Sequence, residues 1–210
     1  MHFAREGYSR IFGLGIASFI LNLLGFQTLG LVFLILTLFV AYFFRDPERV
    51  PPGDDRLILA PADGRVVTVE KSAQEKHFLQ APAVRVGIFM SPLDVHVNRI
   101  PIASQVTAVH YQPGQFRPAF ATDASEVNER NVVALEDARG RRVLLVQIAG
   151  ILARRIVCSL KEGERVQQGE RYGMIMLGSR VDLYCGPEVE LKVQVGQRVR
   201  AGETVIGEYL

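Results

Sequence analysis

Three short segments carry side chains that together could break a peptide bond. Met176-Leu177-Gly178-Ser179-Arg180-Val181-Asp182 places a hydroxyl directly after a glycine. Ala60-Pro61-Ala62-Asp63-Gly64-Arg65-Val66 places a carboxylate in a turn. Ser91-Pro92-Leu93-Asp94-Val95-His96-Val97-Asn98-Arg99-Ile100-Pro101 adds an imidazole just past an apolar strand. A serine hydroxyl becomes a nucleophile when a base takes its proton, and an imidazole does this near neutral pH. An acid such as Asp63 can hold the imidazole in one tautomer and steady the imidazolium. The nearest carbonyl to Ser179 is that of Gly178, where the missing side chain leaves room for attack. Attack would turn the amide into an ester. Loss of the Ser179 Cα proton would then expel the Gly178 carboxylate and leave dehydroalanine. Tautomerisation and hydrolysis, with loss of ammonia, would yield a pyruvoyl group at position 179. Each segment also has a plainer reading: Ser179 as a turn serine, His96 as a structural histidine, Asp63 as an Asx turn and Asp94 as a turn cap.

Composition limits the alternatives. The chain has 210 residues, enough for one good core plus an appendage. A net charge of +2 gives no field for nucleic acid, and no nucleic-acid partner is expected. Cys158 and Cys185 lie in separate apolar stretches and form no CxxC pair. They read as free thiols of a reducing compartment. No metal site is expected, because His77 and His110 are not at ligand spacing from them. Both histidines read as surface residues.

The apolar excess is concentrated at the N-terminus. From Ile11 to Phe44 there is no charged residue. Gly25-Phe26-Gln27-Thr28 divides this stretch into two segments, each slightly short for a full span. A membrane-embedded helical hairpin is the favoured expectation, and one longer tilted helix is the alternative. A cleaved signal peptide is excluded by the length and by the chemistry of Phe43-Phe44-Arg45-Asp46-Pro47. Arg5 and Arg10 before the stretch and Arg45 and Arg49 after it suit both ends on the cytoplasmic side. The expected organisation is a membrane-associated segment over 1–44, a proline-rich linker over 45–56 and a β-rich body over 57–210.

The body reads as many short strands: Arg65–Glu70, Val84–Phe89, Gln105–Tyr111, Asn131–Glu136, Val143–Ile148 and Val189–Val195. Brief helices are expected only over Ile151–Cys158 and Ala119–Asn128. An internal echo, G-x-x-V-x-x-G-E, begins at Gly163 and again at Gly196, and the turn at Pro61–Val67 looks like a third such element. The pattern resembles the half-motifs of biotinyl- and lipoyl-type barrel-sandwich hybrids. The fold class expected is therefore mainly β, a barrel-sandwich-hybrid-like body behind an N-terminal helical membrane segment.

Taken in order, Phe44-Arg45-Asp46-Pro47-Glu48-Arg49, the Asp63 turn, the Ser91–Pro101 segment, Gly150-Ile151-Leu152-Ala153-Arg154-Arg155-Ile156 and Gly178-Ser179-Arg180-Val181-Asp182 closely resemble the phosphatidylserine decarboxylase family in its short bacterial and archaeal form. The resemblance implies a proenzyme that cuts itself between Gly178 and Ser179. A β chain of residues 1–178 and an α chain of 179–210 would stay together as a heterodimer. Ser179 would become the covalent pyruvoyl group that forms a Schiff base with the substrate amine. Asp63 matches the family's acid and His96 its substrate-facing histidine. The implied substrate is phosphatidylserine, reached at the cell membrane from the cytoplasmic side, with membrane lipids as partners and phosphatidylethanolamine and CO2 as products. Arg45, Arg49 and Arg56 are candidate contacts for an anionic head group or ordinary solvated charges. Long-form members carry a second histidine where Arg99 stands, which leaves open which base drives self-cleavage. A membrane-anchored barrel-sandwich adaptor or carrier module is the alternative. It lacks the long heptad helices of an adaptor, and Lys161 and Lys192 are not set as carrier lysines.

Overall fold

The computed structural model describes residues 2–75, 81–119, 124–150, 155–176 and 179–210. His77, Gly178 and the start of the expected Ile151–Cys158 helix lie outside the described residues. The chain divides into two compact units, Met1–Glu48 and Arg49–Leu210.

The first unit is a helical hairpin. Helix α1 (Tyr8–Leu23) and helix α2 (Gln27–Phe43) are joined at Gly25, and strands β1 (His2–Phe3) and β2 (Arg45–Asp46) pair at its base. Its sidedness is the reverse of a water-soluble helix pair. Phe12, Phe19, Leu23, Leu31, Ile35 and Leu38 are exposed. The contact between the helices is made by small and polar groups. The Ser18 hydroxyl donates to the Gly30 carbonyl at 2.8 Å. A Cβ on Gly30 would lie 2.2 Å from Asn22 Nδ2, so only glycine lets that amide pack there. Among the described residues no helix is long and apolar enough to cross a membrane. The stretch forms two helices joined by a turn rather than one long helix.

The second unit is mainly β, as its Val- and Ile-rich runs require. Its strands are β3 (Leu57–Leu59), β4 (Gly64–Glu75), β5 (Ala81–Met90), β6 (Val97–Arg99), β7 (Ser104–Gln112), β8 (Arg130–Glu136), β9 (Arg142–Ile148), β10 (Ile156–Cys158), β11 (Arg165–Val166), β12 (Arg171–Ile175), β13 (Ser179–Cys185), β14 (Val189–Leu191), β15 (Arg198–Val199) and β16 (Val205–Tyr209). A short helix, α3 (Ala124–Val127), falls inside the expected helical stretch. An 8-stranded sheet has the order β11-β7-β8-β9-β13-β5-β4-β15. Two 3-stranded sheets, β10-β12-β6 and β14-β16-β3, accompany it. The core between them includes Ile58, Val66, Ile88, Leu145, Tyr172, Val181, Leu183 and Ile206.

The sequence echo is a structural repeat. The Gly163 amide donates to Val106 O and the Gly196 amide to Val66 O, both at 2.8 Å. The Gly169 amide reaches Ile100 O as the Gly202 amide reaches Ala60 O. Strands β11 and β15 thereby close the two opposite edges of the large sheet. Residues 60–66 are thus matched with 100–106, rather than forming a third copy of the glycine turn. Two local expectations change. Ile156–Cys158 is a strand, because its β-branched pair is drawn into register with β12. The strand beginning at Val189 stops at Leu191, since the chain must turn toward Gly196.

Candidate active site

The register of three strands gathers the segments singled out above. Strand β5 lies between β13 and β4, and both neighbours run antiparallel to it. Ser179, the first residue of β13, pairs with Met90, the last of β5. On the other side Arg65 of β4 pairs with Phe89. The starts of β13 and β4 therefore flank the end of β5. Asp63 immediately precedes β4, and the segment carrying His96 immediately follows β5. Gly64 tightens this junction: a Cβ there would lie 2.1 Å from the Phe89 carbonyl oxygen, a place no side chain can occupy.

The turn after β5 sets the histidine. Asp94 Oδ2 accepts from the Ser91 amide at 2.8 Å and from the Ser91 hydroxyl at 2.6 Å. Asp94 is the turn cap that the plainer reading describes. Its backbone carbonyl lies 2.9 Å from His96 Nδ1. A carbonyl only accepts, so this contact places the proton on Nδ1 and leaves Nε2 as the basic nitrogen. His96 is fully buried.

Ser179 is fully buried as well, and its Oγ has no hydrogen-bond partner among the described residues. A buried hydroxyl left unmatched costs about 1–3 kcal/mol. Such groups are rare in native structures and often mark strain or chemistry.

Asp63 is held at both oxygens. Oδ1 accepts from the Ala201 amide at 2.7 Å and Oδ2 from Arg49 Nη2 at 2.9 Å. Arg49 Nη1 lies 2.7 Å from Glu203 Oε2, and its side chain is only 9% exposed. Arg49 is therefore a buried clamp on Asp63 and Glu203, not a surface charge offered to a head group. Sequence reasoning missed this role, since nothing local links positions 49, 63 and 203. Arg56 is exposed and engages Asp54 and Glu208. Arg99 is buried, and its Nη1 donates to the Gly169 carbonyl at 2.9 Å. A guanidinium stays protonated and cannot serve as a base.

An amide chain lies behind the histidine segment. Asn131 Nδ2 donates to Gln147 Oε1 at 3.0 Å, and Gln147 Nε2 donates to Asn98 Oδ1 at 2.9 Å. These three buried side chains tie β6 through β9 to β8 and fix the strand that follows His96. Alternating polar positions in Val97-Asn98-Arg99 and Val146-Gln147-Ile148 were the only sequence signal for them. Cys158 adjoins the Asn131 end of this amide chain, and Cys185 lies in the core. Burial pushes Cys158 up, and burial with the nearby Glu188 charge pushes Cys185 up to about 12. His110 is exposed on β7. Among the described residues no group of three or more His, Cys, Asp and Glu could hold a metal ion.

Comparison with known proteins identifies the family. The sequence model of the family described as phosphatidylserine decarboxylase matches residues 36–207. A phosphatidylserine decarboxylase proenzyme from Geotalea uraniireducens (strain Rf4) is 43% identical over 204 residues, covering 97% of this chain and 95% of the relative. The proenzyme of the same name from Syntrophotalea carbinolica is 47% identical over 204 residues, with the same coverage of 97% and 95%. That from Gluconacetobacter diazotrophicus is 54% identical over 170 residues, covering 80% of this chain and 76% of the relative. With its length matched almost from end to end, the chain belongs to the phosphatidylserine decarboxylase family.

Proposed function

We propose that this chain is a self-cleaving phosphatidylserine decarboxylase, cut between Gly178 and Ser179, that releases CO2 from the lipid's serine head group to give phosphatidylethanolamine. One observation carries the reading: the buried hydroxyl of Ser179, without a hydrogen-bond partner among the described residues, sits at the sheet end where the Asp63 turn and the His96 segment also arrive. An adaptor or carrier module has no use for such a group, and family membership favours the enzyme.

His96 Nε2 takes the Ser179 proton, and the freed oxygen attacks the Gly178 carbonyl carbon. The C–N bond breaks and an ester joins Gly178 to Ser179 Oγ. Removal of the Ser179 Cα proton breaks the Cβ–O bond and releases the Gly178 carboxylate. The enamine left at 179 tautomerises to an imine, which water hydrolyses with loss of ammonia. With Arg99 permanently protonated, His96 is the base for this sequence as well as the proton source for decarboxylation. The Asp94 carbonyl sets the His96 tautomer, and Asp63, oriented by Arg49 and the Ala201 amide, supplies negative charge that favours the imidazolium.

The position of Ser179 fits a pyruvoyl group, since its side chain is buried at a strand end and its hydroxyl has no hydrogen-bond partner among the described residues. Such a group supplies an electron sink for the pair left when the substrate carboxylate departs. Around it, the buried walls exclude water, and His96 returns a proton to the carbon that lost CO2. The α chain of 179–210 stays with the β chain of 1–178, because β13 is hydrogen-bonded on both sides by strands of the other fragment.

The hairpin serves as the membrane attachment, with the body on the cytoplasmic side. At about 1.5 Å per residue its helices of 16 and 17 residues reach about 24 and 26 Å, against about 30 Å of hydrocarbon. It enters from one face and returns to it. The duplicated glycine turns support a barrel-sandwich-hybrid kinship for the body. Intact-mass measurement of the purified protein tests the central claim. Two chains are expected, the smaller beginning at residue 179 with a ketoacyl end. A single active chain with an ordinary serine at 179 would end this reading.

A further inference from the structure

Residue 179 has a neighbour whose side chain is unusually constrained. Along β13 the side chains of Val181 and Leu183 enter the core, and those of Arg180 and Asp182 lie on the opposite face. Both polar groups are nevertheless buried, at 2% and 0% exposed. Arg180 Nε donates to Asp182 Oδ1, and Arg180 Nη2 donates to Thr68 Oγ1 on β4 at 3.0 Å. The guanidinium lies flat on β5 at Gly87, where a Cβ would stand 2.5 Å from Nη2. Asp182 Oδ2 is engaged from the other side. It accepts from Arg85 Nε at 3.0 Å, Arg85 Nη2 at 2.7 Å and Ser125 Oγ at 2.9 Å. Arg85 in turn lies 3.7 Å from Glu70.

This is an expensive way to fill space. Desolvating two guanidiniums and a carboxylate offsets most of their attraction, and apolar residues of similar volume often stabilise a fold as well or better. A cluster of this kind is better explained by what it fixes. The cut proposed above makes residue 179 the first of a new chain. Chain ends ordinarily fray. Backbone pairing holds β13 in its sheet, but the outermost pair of a strand is the weakest held.

We propose that Arg180, locked by Asp182 and Thr68 over Gly87, is a positioning residue that keeps the newly formed end at residue 179 in its reactive place. In this role the lock would act on neither substrate nor the reacting atoms directly. It acts through the backbone of residue 180, whose side chain is fastened to β13, β4 and β5 together. Gly87 is part of it because any larger residue would lift the guanidinium off the sheet.

The proposal rests on cleavage at 178/179, and the test separates the two. Full-length wild type, Arg180→Met, Arg180→Lys, Gly87→Ala and Thr68→Val are each assayed on phosphatidylserine in mixed micelles. Intact mass gives the cleaved fraction of each, and kcat is expressed per cleaved chain. A displacement of about 1 Å can cost about 10²-fold in rate. Arg180→Met and Gly87→Ala are therefore expected to lower kcat by about 10- to 100-fold with KM within about 2-fold. Arg180→Lys should recover part of the loss, and Thr68→Val, which removes one outer bond, should cost about 2- to 5-fold. An unchanged kcat per cleaved chain in Arg180→Met or Gly87→Ala overturns the lock. So does a raised KM at constant kcat, which would make Arg180 a substrate contact. If Arg180→Met and Gly87→Ala fail to fold, an unchanged kcat in Thr68→Val overturns it equally. Uncut wild type, by contrast, would overturn the cleavage reading itself.

Discussion

The hairpin and the body solve opposite packing problems. In the hairpin, Phe12, Phe19, Leu31 and Leu38 face outward, and Ser18 and Gly30 meet inside with the Asn22 amide against Gly30. In the body, Val66, Ile88, Leu145 and Leu183 are fully buried. Each arrangement suits a different solvent. Water drives apolar groups inward. In lipid that drive between helices vanishes, and close approach and hydrogen bonds between them take over. With the membrane attachment proposed above, the same chain would carry one unit suited to hydrocarbon and another suited to water. A substrate with its tails in the bilayer and its reacting group in the head region calls for both.

If the division is real, changes in one unit should leave the other's property intact. The largest effect is expected from Ser179→Ala. Denaturing gels should show one uncut chain and CO2 release should vanish, while flotation with phospholipid vesicles is unchanged. His96→Ala should likewise abolish decarboxylation and impair the cut; normal turnover would remove the imidazole from the site. Next come paired leucines. Leu145→Ala should lower the body's unfolding free energy by about 2–5 kcal/mol in a denaturant titration. Leu38→Ala, on a residue 62% exposed, should leave that value alone and weaken vesicle retention. Equal destabilisation by both would erase the contrast. Smaller still, Ser18→Ala removes the bond to the Gly30 carbonyl. It should cost about 1 kcal/mol of helix association, seen as faster amide exchange in α1 and α2 in micelles with self-cleavage unaffected.

The mildest expectation concerns alkaline pH and the body alone. Burial raises Cys185 from 9.0 to about 12, so the folded state disfavours the thiolate that the unfolded chain forms more readily. The associated stability is complete below about pH 9 and is lost as pH climbs toward about 12. Thermal unfolding should show the midpoint of Cys185→Ala falling less steeply over that window than that of the parent. Identical slopes would deny the buried thiol any part.

What could be read from the sequence was local. Strands near Arg65–Glu70, Val143–Ile148 and Asn131–Glu136 announced themselves through β-branched residues and appear with small shifts of boundary. The hairpin followed from an uncharged stretch broken at Gly25. Ser179, His96 and Asp63 were legible because the segments holding them are compact and ordered along the chain. The supports were not. Arg49 on Asp63, Asp182 between two arginines, and Gln147 between two asparagines join positions far apart in sequence. Their side chains are common surface types, and only the folded register reveals them as buried. Ile156–Cys158 was misjudged for a related reason. Three residues carry too little periodicity to decide between helix and strand, and pairing with β12 decided it.

The internal repeat offers a last consequence. Its two copies share most of their backbone hydrogen bonds around Ala60–Val66 and Ile100–Val106, yet Ala103 stands where the other copy bears Asp63. One scaffold, drawn twice, tolerates either a methyl or a carboxylate at the same corner. The repeated backbone accepts either, and in the function proposed above the acid's presence in a single copy reflects its catalytic use beside its contacts with Ala201 and Arg49. A protein that contains its own blank allows its working parts to be told from its framework without reference to any other molecule.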